Sequence, residues 1–190
     1  MTLRVAYISD ERFPGWGTDT QQITKNAEAL ARAGAQVDLF IPTHVKVLHL
    51  RTEERIRRIR AHYGIGDRLN IRFIPGWPAS DLRVEKLTHG LSAPLLAALG
   101  GYDVMYTRNV LPTALCLLAG RPTVLENHRV LSEHYPVSYR VMRRFAAHPR
   151  LAGVITNCEY VRASWEEMGV PGDRLLVSHL GYDPKDFEPR

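Results

Sequence analysis

The sequence predicts an α/β fold, a doubly wound and mostly parallel β-sheet of about seven strands. Two observations support this prediction. Short apolar runs alternate along the chain with longer segments whose apolar residues recur at helical spacing. The short runs are also continuous, as in Val5-Ala6-Tyr7-Ile8, and continuous runs are typical of strands buried on both faces of a parallel sheet.

Residues that start or stop regular structure bound each predicted element. The first strand covers 3–8, and the helix after it ends near Ala33, where Gly34 stops it because glycine adopts left-handed backbone easily. Thr18, Asp19 or Thr20 is expected to cap that helix. The other strands are expected at 36–41, 71–74, 102–106, 123–126, 154–156 and 175–178. The other helices are expected at 51–63, 81–99 (with Asp81 as cap), 111–119, 137–147 and 159–168.

Composition narrows the class of protein. The 190 residues carry a net charge of +5 and are 45% hydrophobic and 24% charged, which is typical of a soluble globular chain. No apolar run approaches the roughly 18 residues of a membrane span. The N-terminus does not resemble a signal peptide, and two isolated cysteines suggest a reducing compartment, so we expect a cytoplasmic protein. We expect one domain over 1–182 and the start of a linker over 183–190.

Ligands of a doubly wound sheet bind beyond the carboxyl ends of the strands, and four loops lie there. The first, 13–19, contains Gly15 and Gly17 and leads into the N-terminus of a helix, a position that favours phosphate. The alternative is a plain turn with positive φ at either glycine. The others are 106–109 with Arg108 and Asn109, 126–128 with Glu126 and His128, and 178–183. At 106–109 the alternative is a solvated arginine or a structural ion pair. At 126–128 it is a hydrogen-bond network with a structural histidine, and at 178–183 an ordinary turn.

Other kinds of site are weakly supported. Histidine and cysteine spacings do not fit a metal site, so no metal is expected. Two arginine-rich helical segments, 51–63 and 137–147, are either solvated or in contact with anionic lipid at the inner face of a membrane. Nucleic acid is not expected, because aromatic residues do not accompany these arginines.

Taken together, the four loops resemble the N-terminal domain of retaining glycosyltransferases of family 4, which have the GT-B fold of two facing Rossmann-like domains. The family's first strand, glycine-rich loop and helix are similar to the opening RVAYISDERFPGWGTDTQQITKNAEALARAGAQVDLFIP. DVMYTRN and PTVLENH are similar to the ends of its fourth and fifth strands, and VITNCEYVRASWEEMGVPGDRLLVSHLGYDPKDF to the segment before its second domain.

This resemblance implies roles for particular residues. His128 would be catalytic and face the transferred sugar, while Gly15, Gly17 and Thr18 would lie near the donor. Arg108, Asn109, Glu126, Asn157 and His179 would line the cleft and the acceptor side. Thr18 replaces the second of two glycines usual in the family, and Leu180 replaces a polar residue; Gly181 and Asp183 match its closing turn.

The implied reaction is transfer of a sugar, of hexosyltransferase type, from a nucleotide-sugar to an acceptor with retention at the anomeric carbon. No cofactor is implied. Most donor contacts come from the family's C-terminal domain, which is absent here, so the chain alone would be inactive without that domain or a partner chain. Two alternatives stay open: a non-catalytic binding or partner subunit, and a nucleotide-binding Rossmann-like module unrelated to sugar transfer.

Overall fold

A single parallel sheet organises the chain. The computed structural model describes residues 2–43, 49–74, 82–179 and 181. Its strands are β1 (Arg4–Ile8), β2 (Gln36–Pro42), β3 (Asn70–Ile74), β4 (Val104–Thr107), β5 (Thr123–Glu126), β6 (Leu151–Thr156) and β7 (Leu175–Val177). Their order is β3-β2-β1-β4-β5-β6-β7, and each neighbouring pair is parallel. The predicted doubly wound sheet is therefore confirmed.

Helices connect the strands. They are α1 (Thr18–Arg32), α2 (Thr52–Tyr63), α3 (Leu82–Leu99), α4 (Val110–Leu118), α5 (Leu131–His134), α6 (Pro136–Phe145) and α7 (Glu159–Met168). Gly34 follows the end of α1 with φ of 100°, and Gly64 ends α2 with φ of 61°. Both glycines adopt left-handed backbone that other residues rarely tolerate, as expected for helix stops.

The two faces of the sheet are covered by different helices. Val5 and Tyr7 of β1 belong to one core cluster with residues of α1 and α2, such as Ile23 and Ile59. Ala6, which points to the opposite face, packs in a cluster with residues of α3 and α4. Because side chains alternate along a strand, each face of β1 contributes to a separate core.

Several predicted details were wrong. None of the three candidate capping residues caps α1: Gly17 is its N-cap, with no side-chain cap, and the helix begins at Thr18. The short helix α5 was not predicted. β6 begins at Leu151 rather than Val154, because the strand continues through Gly153, a residue unfavourable in strands, and Leu151 pairs with Thr123 of β5. Asp81 and the predicted linker at 183–190 lie outside the described residues.

Candidate functional site

A cleft of about 670 Å³ opens at the carboxyl edge of the sheet. Its walls include the residues at and after the ends of three strands: Ser9, Asp10 and Glu11 after β1, Arg108 and Asn109 after β4, and Glu126, Asn127 and His128 at β5. The strand order reverses between β1 and β4. The cleft therefore lies at the topological switch point, where open α/β sheets bind ligands.

A buried carboxylate lies at the base of this cleft. The Glu126 side chain is 2% exposed. Its Oε2 accepts hydrogen bonds from the hydroxyls of Tyr106, at 2.7 Å, and Tyr7, at 3.2 Å. Its Oε1 lies 2.9 Å from His128 Nε2 and 3.4 Å from Arg108 Nη2. Both oxygens of the buried carboxylate are therefore satisfied, as its burial requires. We call these five residues the Glu126 cluster.

The surroundings of Glu126 decide its charge. Burial on its own would raise the pKa of Glu126, but the hydrogen bond from His128, the charge of Arg108 and the hydrogen bond from Tyr106 outweigh it. The pKa of Glu126 consequently lies below its ordinary value. Burial, and then the negative charge of Glu126, raise the pKa of Tyr106 far above the usual range. Glu126 is thus a carboxylate at neutral pH, and the tyrosines are hydrogen-bond donors.

His128 is held in one tautomer. Arg108 Nη2 lies 3.4 Å from His128 Nδ1, and a guanidinium can only donate, so Nδ1 is the acceptor. The ring proton then lies on Nε2, where it is donated to Glu126. Arg108 also donates to the carbonyl of Asp19, at 3.3 Å, and to Gln22 Oε1, at 3.2 Å, on α1. The arginine therefore joins the start of α1 to the base of the cleft.

A second charged group lines the same cleft, and we call it the Asp10 cluster. Asp10 Oδ1 accepts a 2.5 Å hydrogen bond from Asn109 Nδ2. Lys86 Nζ lies 3.7 Å from Asp10 Oδ2 and 2.5 Å from Glu11 Oε1. Burial and the neighbouring charge of Glu11 raise the pKa of Asp10, and the opposing charge of Lys86 does not compensate.

Comparison with known proteins decides the family. The model of the family described as Glycosyltransferase Family 4 matches residues 21–186. The chain belongs to glycosyltransferase family 4. The chain has no significant match among curated proteins.

Solved structures resemble this family 4 domain in fold. HepE from Anabaena, in complex with UDP and glucose, aligns with a TM-score of 0.63 and 14% identity over 96% of this chain and 46% of its own. Sucrose-phosphate synthase from Thermosynechococcus elongatus aligns with a TM-score of 0.69 and 14% identity, over 99% of this chain and 50% of its own. A glycosyltransferase from Rickettsia africae aligns with a TM-score of 0.55 and 13% identity, over 99% of this chain and 47% of its own. The domain thus has the fold of a GT-B half and spans about half the length of these proteins.

The glycine-rich loop of the family 4 domain packs on Tyr63 of α2. Gly15 exchanges hydrogen bonds with Tyr63, whose hydroxyl lies 2.8 Å from the Gly15 nitrogen and 2.9 Å from its oxygen. A Cβ atom added at Gly17 would meet no other group within 4 Å, and Thr18 is exposed at the first position of α1. Neither Gly15 nor Gly17 has positive φ, so the alternative explanation by a positive-φ turn was wrong. The donor-binding roles of these three residues stay a prediction.

Two other predicted residues lie together outside the cleft lining. His179 Nδ1 is 3.2 Å from the carbonyl oxygen of Asn157, which joins the ends of β6 and β7. The Asn157 side-chain oxygen is buried without a hydrogen-bond partner. The structure therefore brings Arg108, Asn109, Glu126 and His128 together. It places Asn157 after β6, the neighbour of β5, and His179 after β7, one strand further along the sheet. Asp183 lies outside the described residues.

Sequence reasoning missed Tyr7, Asp10 and Lys86. Asp10 could have been found, because it comes two residues after a buried strand and so lies at the carboxyl edge. Tyr7 lies within an apolar run, and no local pattern indicates that its hydroxyl meets a residue 119 positions away. Lys86 lies on a helix, with no signal beyond its charge.

Other features complete the description of the site. Among the described residues, no group of three or more His, Cys, Asp or Glu side chains is arranged to hold a metal ion. Cys116 and Cys158 are free thiols, and burial raises the pKa of Cys116 to about 12. No helix in the described ranges is both long and apolar enough to cross a membrane.

Proposed function

We propose that this domain is the acceptor-side half of a retaining glycosyltransferase that moves a hexose from a nucleotide-sugar to an acceptor. The observation that carries the proposal is the fixed pair of Arg108 and His128 above buried Glu126, in a cleft at the switch point of the sheet. Family membership supports sugar transfer, and the UDP and glucose named for HepE support a nucleotide-sugar donor.

His128 is proposed to contact the transferred sugar. A sugar hydroxyl that donates to His128 Nδ1 would replace the 3.4 Å contact from Arg108 and leave the Nε2 hydrogen bond to Glu126 intact. Glu126 is then a positioning residue, because its hydrogen bond to Nε2 fixes the orientation of the imidazole and leaves Nδ1 facing the sugar. Arg108, freed from the ring, becomes available to an anionic group of the donor.

The leaving group is a nucleotide diphosphate, so stabilisation of its developing negative charge is the main catalytic demand. Within this domain the uncapped start of α1, beside Gly17 and Thr18, and the Arg108 guanidinium are the groups proposed to supply it. We propose that no metal or other cofactor is required. Further donor contacts are assigned to a second domain or a partner chain, so the domain alone is expected to bind donor weakly and turn over poorly. A cytoplasmic location is part of the same proposal.

The test compares single variants in the complete gene product, with radiolabelled UDP-glucose and other nucleotide-sugars as donors. His128→Ala is expected to reduce transfer about a hundredfold, because a contact to the reacting sugar is lost. His134→Ala is the matched control, since His134 is an exposed histidine that does not line the cleft. Analysis of the product by NMR determines whether the anomeric configuration is retained.

Three results would overturn parts of the proposal. An equal loss of transfer activity in His128→Ala and His134→Ala would contradict the role of His128. A product of inverted anomeric configuration would contradict the retaining mechanism. Transfer by the 190-residue chain alone at the rate of the complete protein would remove the half-enzyme assignment. Tight binding of UDP by that chain without any sugar transfer would favour a nucleotide-binding module instead.

A further inference from the structure

An exposed stripe of aliphatic side chains runs along the outer side of α3. Its members recur every three or four residues: Val84, Leu87, Leu91, Leu95 and Leu99. Leu95 is 59% exposed and Leu99 is 85% exposed. The opposite side of the helix holds Ala93 and Ala97, which are fully buried against the sheet. The stripe is therefore additional to the apolar residues that the core requires.

A second stripe lies next to the first, on α4. The helices pack closely at Gly90, where a Cβ atom would lie 3.2 Å from the Leu111 side chain. Leu111 and Leu118 are exposed, the latter at 71%. No Asp, Glu, Lys or Arg occurs between Leu87 and Leu99 or anywhere in α4. We call these two stripes the leucine face, and its contiguous apolar surface is unusual for a surface exposed to water.

Arginines border the leucine face on one side. Leu117 of α4 and Met142 of α6 share a core cluster, so α6 lies on the side of α4 away from α3. Arg140, Arg143 and Arg144 of α6 are exposed, and α6 contains no acidic residue. Within the described ranges these three arginines form no ion pair.

We propose that the leucine face and the α6 arginines dock the domain on the surface of an anionic phospholipid bilayer. Leucine side chains enter the boundary between headgroups and acyl chains, and arginines beside them bind lipid phosphates. The charge pattern favours an anionic bilayer, since the α6 border of the face is cationic and α3, α4 and α6 expose no carboxylate that would repel lipid phosphates. The helices lie on the membrane and do not cross it.

The other arginine-rich helix, α2, is not part of this surface. Arg57 and Arg58 both pair with Glu54 on their own helix. α2 also packs on the face of the sheet opposite α3 and α4, as the separate core clusters show. Of the two arginine segments that the sequence marked for lipid contact, the structure therefore favours the one on α6.

The position of the leucine face gives the docking a consequence for the acceptor. Leu87, the second member of the α3 stripe, and Leu111, the first of the α4 stripe, also line the cleft. A docked domain consequently holds its cleft mouth at the level of the lipid headgroups. If the proposed sugar transfer is right, the acceptor is an amphiphile whose polar group enters the cleft while its hydrocarbon stays in the bilayer.

Cosedimentation with vesicles tests the docking independently of enzyme activity. The probes are phosphatidylcholine vesicles with and without phosphatidylglycerol. The wild-type chain is expected to bind the anionic vesicles, and less at high salt because arginine–phosphate attraction is screened. Leu95→Glu with Leu99→Glu is expected to weaken binding more than tenfold, and Arg140→Gln with Arg144→Gln about thirtyfold.

Matched controls separate docking from general effects. Leu176→Glu replaces a leucine on β7 of nearly the same exposure, 58%, and Arg57→Gln with Arg58→Gln removes two arginines from α2. Both controls are expected to bind like wild type. Circular dichroism checks that each variant folds, and Leu99→Ser provides a milder variant should the glutamates disturb α3.

Specific outcomes would overturn the proposal. Absence of wild-type binding to anionic vesicles at low salt contradicts docking, and equal losses in the face and control variants contradict the assigned surface. A wild-type dimer that Leu95→Glu with Leu99→Glu converts to monomers, without vesicle binding, would make the face a contact between two copies. For the acceptor, label from the nucleotide-sugar that stays entirely water-soluble after extraction with chloroform would refute the amphiphile while leaving the docking intact.

Discussion

Two carboxylates in one cleft, Glu126 and Asp10, have pKa values displaced in opposite directions. Both are largely buried, and both lie at the carboxyl edge of the sheet, where Glu126 is the last residue of β5 and Asp10 follows β1. Glu126 accepts hydrogen bonds from His128 and two tyrosines beside Arg108, and its pKa is lowered. Asp10 accepts a hydrogen bond from Asn109 and lies 3.7 Å from Lys86. The carboxylate of Glu11 is also close, and the pKa of Asp10 is raised. Burial acts to raise the pKa of both carboxylates, so the number and charge of nearby donors decide which one is stably ionised.

The largest predicted difference concerns stability. Glu126→Ala leaves Arg108 and two tyrosine hydroxyls without their buried acceptor, so the free energy of unfolding is expected to fall by about 3–5 kcal/mol. Asp10→Ala should cost about 1 kcal/mol, since its partners reach solvent or Glu11. Urea denaturation of both variants measures the difference. Equal losses would show that the two carboxylates are not distinguished by their donors.

The pH dependence of stability should differ in sign. A lowered pKa in the folded state means that Glu126 stabilises the fold above its unfolded pKa of about 4.3 and loses this contribution as pH falls through the folded value. The advantage of wild type over Glu126→Gln should therefore shrink below about pH 4. A raised pKa means that Asp10 binds its proton more readily in the folded state, so wild type should gain stability relative to Asp10→Asn as pH falls. Thermal melts across this range would contradict the comparison if both differences changed in the same direction.

The two tyrosines allow a finer test within the Glu126 cluster. Tyr106→Phe removes the 2.7 Å hydrogen bond to Oε2 and is expected to cost about 1.5–2 kcal/mol, whereas Tyr7→Phe removes the 3.2 Å bond and should cost about 1 kcal/mol. Since both hydroxyls share one oxygen, the double variant should deviate from additivity. Urea denaturation of the three variants checks both expectations, and the reverse ranking would contradict the geometry.

The smallest predicted effect belongs to the Asp10 cluster. Asn109 stands at the N-cap of α4 but makes no side-chain cap, because its amide donates to Asp10 instead. Asn109→Ala should therefore cost about 0.5–1 kcal/mol, the value of one hydrogen bond. Asn109→Asp, which places a second carboxylate beside Asp10, should cost more. An Asn109→Asp variant more stable than wild type in the same denaturation assay would indicate that Asp10 is protonated at neutral pH.

Much of the fold and part of the site could be predicted from sequence. Continuous apolar runs located the strands, and glycines marked the ends of helices. The rule that ligands bind at the carboxyl edge selected Arg108, Asn109, Glu126 and His128, which do meet in one cleft. The same rule grouped Asn157 and His179 with them, although β6 and β7 lie further along the sheet. The rule selects the carboxyl edge of the sheet but not a position along that edge, so it does not tell which loops border the switch point between β1 and β4.

The sequence by itself determined the alternation of strands and helices and the polar residues that end them, since both depend on local periodicity and local backbone preference. Only the tertiary structure decided the partners. Tyr7 reaches Glu126 across 119 residues because β1 and β4 are neighbours, and β4 is in turn a neighbour of β5. The leucine face likewise exists because α3 and α4 pack side by side on one face of the sheet. Such pairings follow from strand order and handedness, which no short stretch of sequence contains.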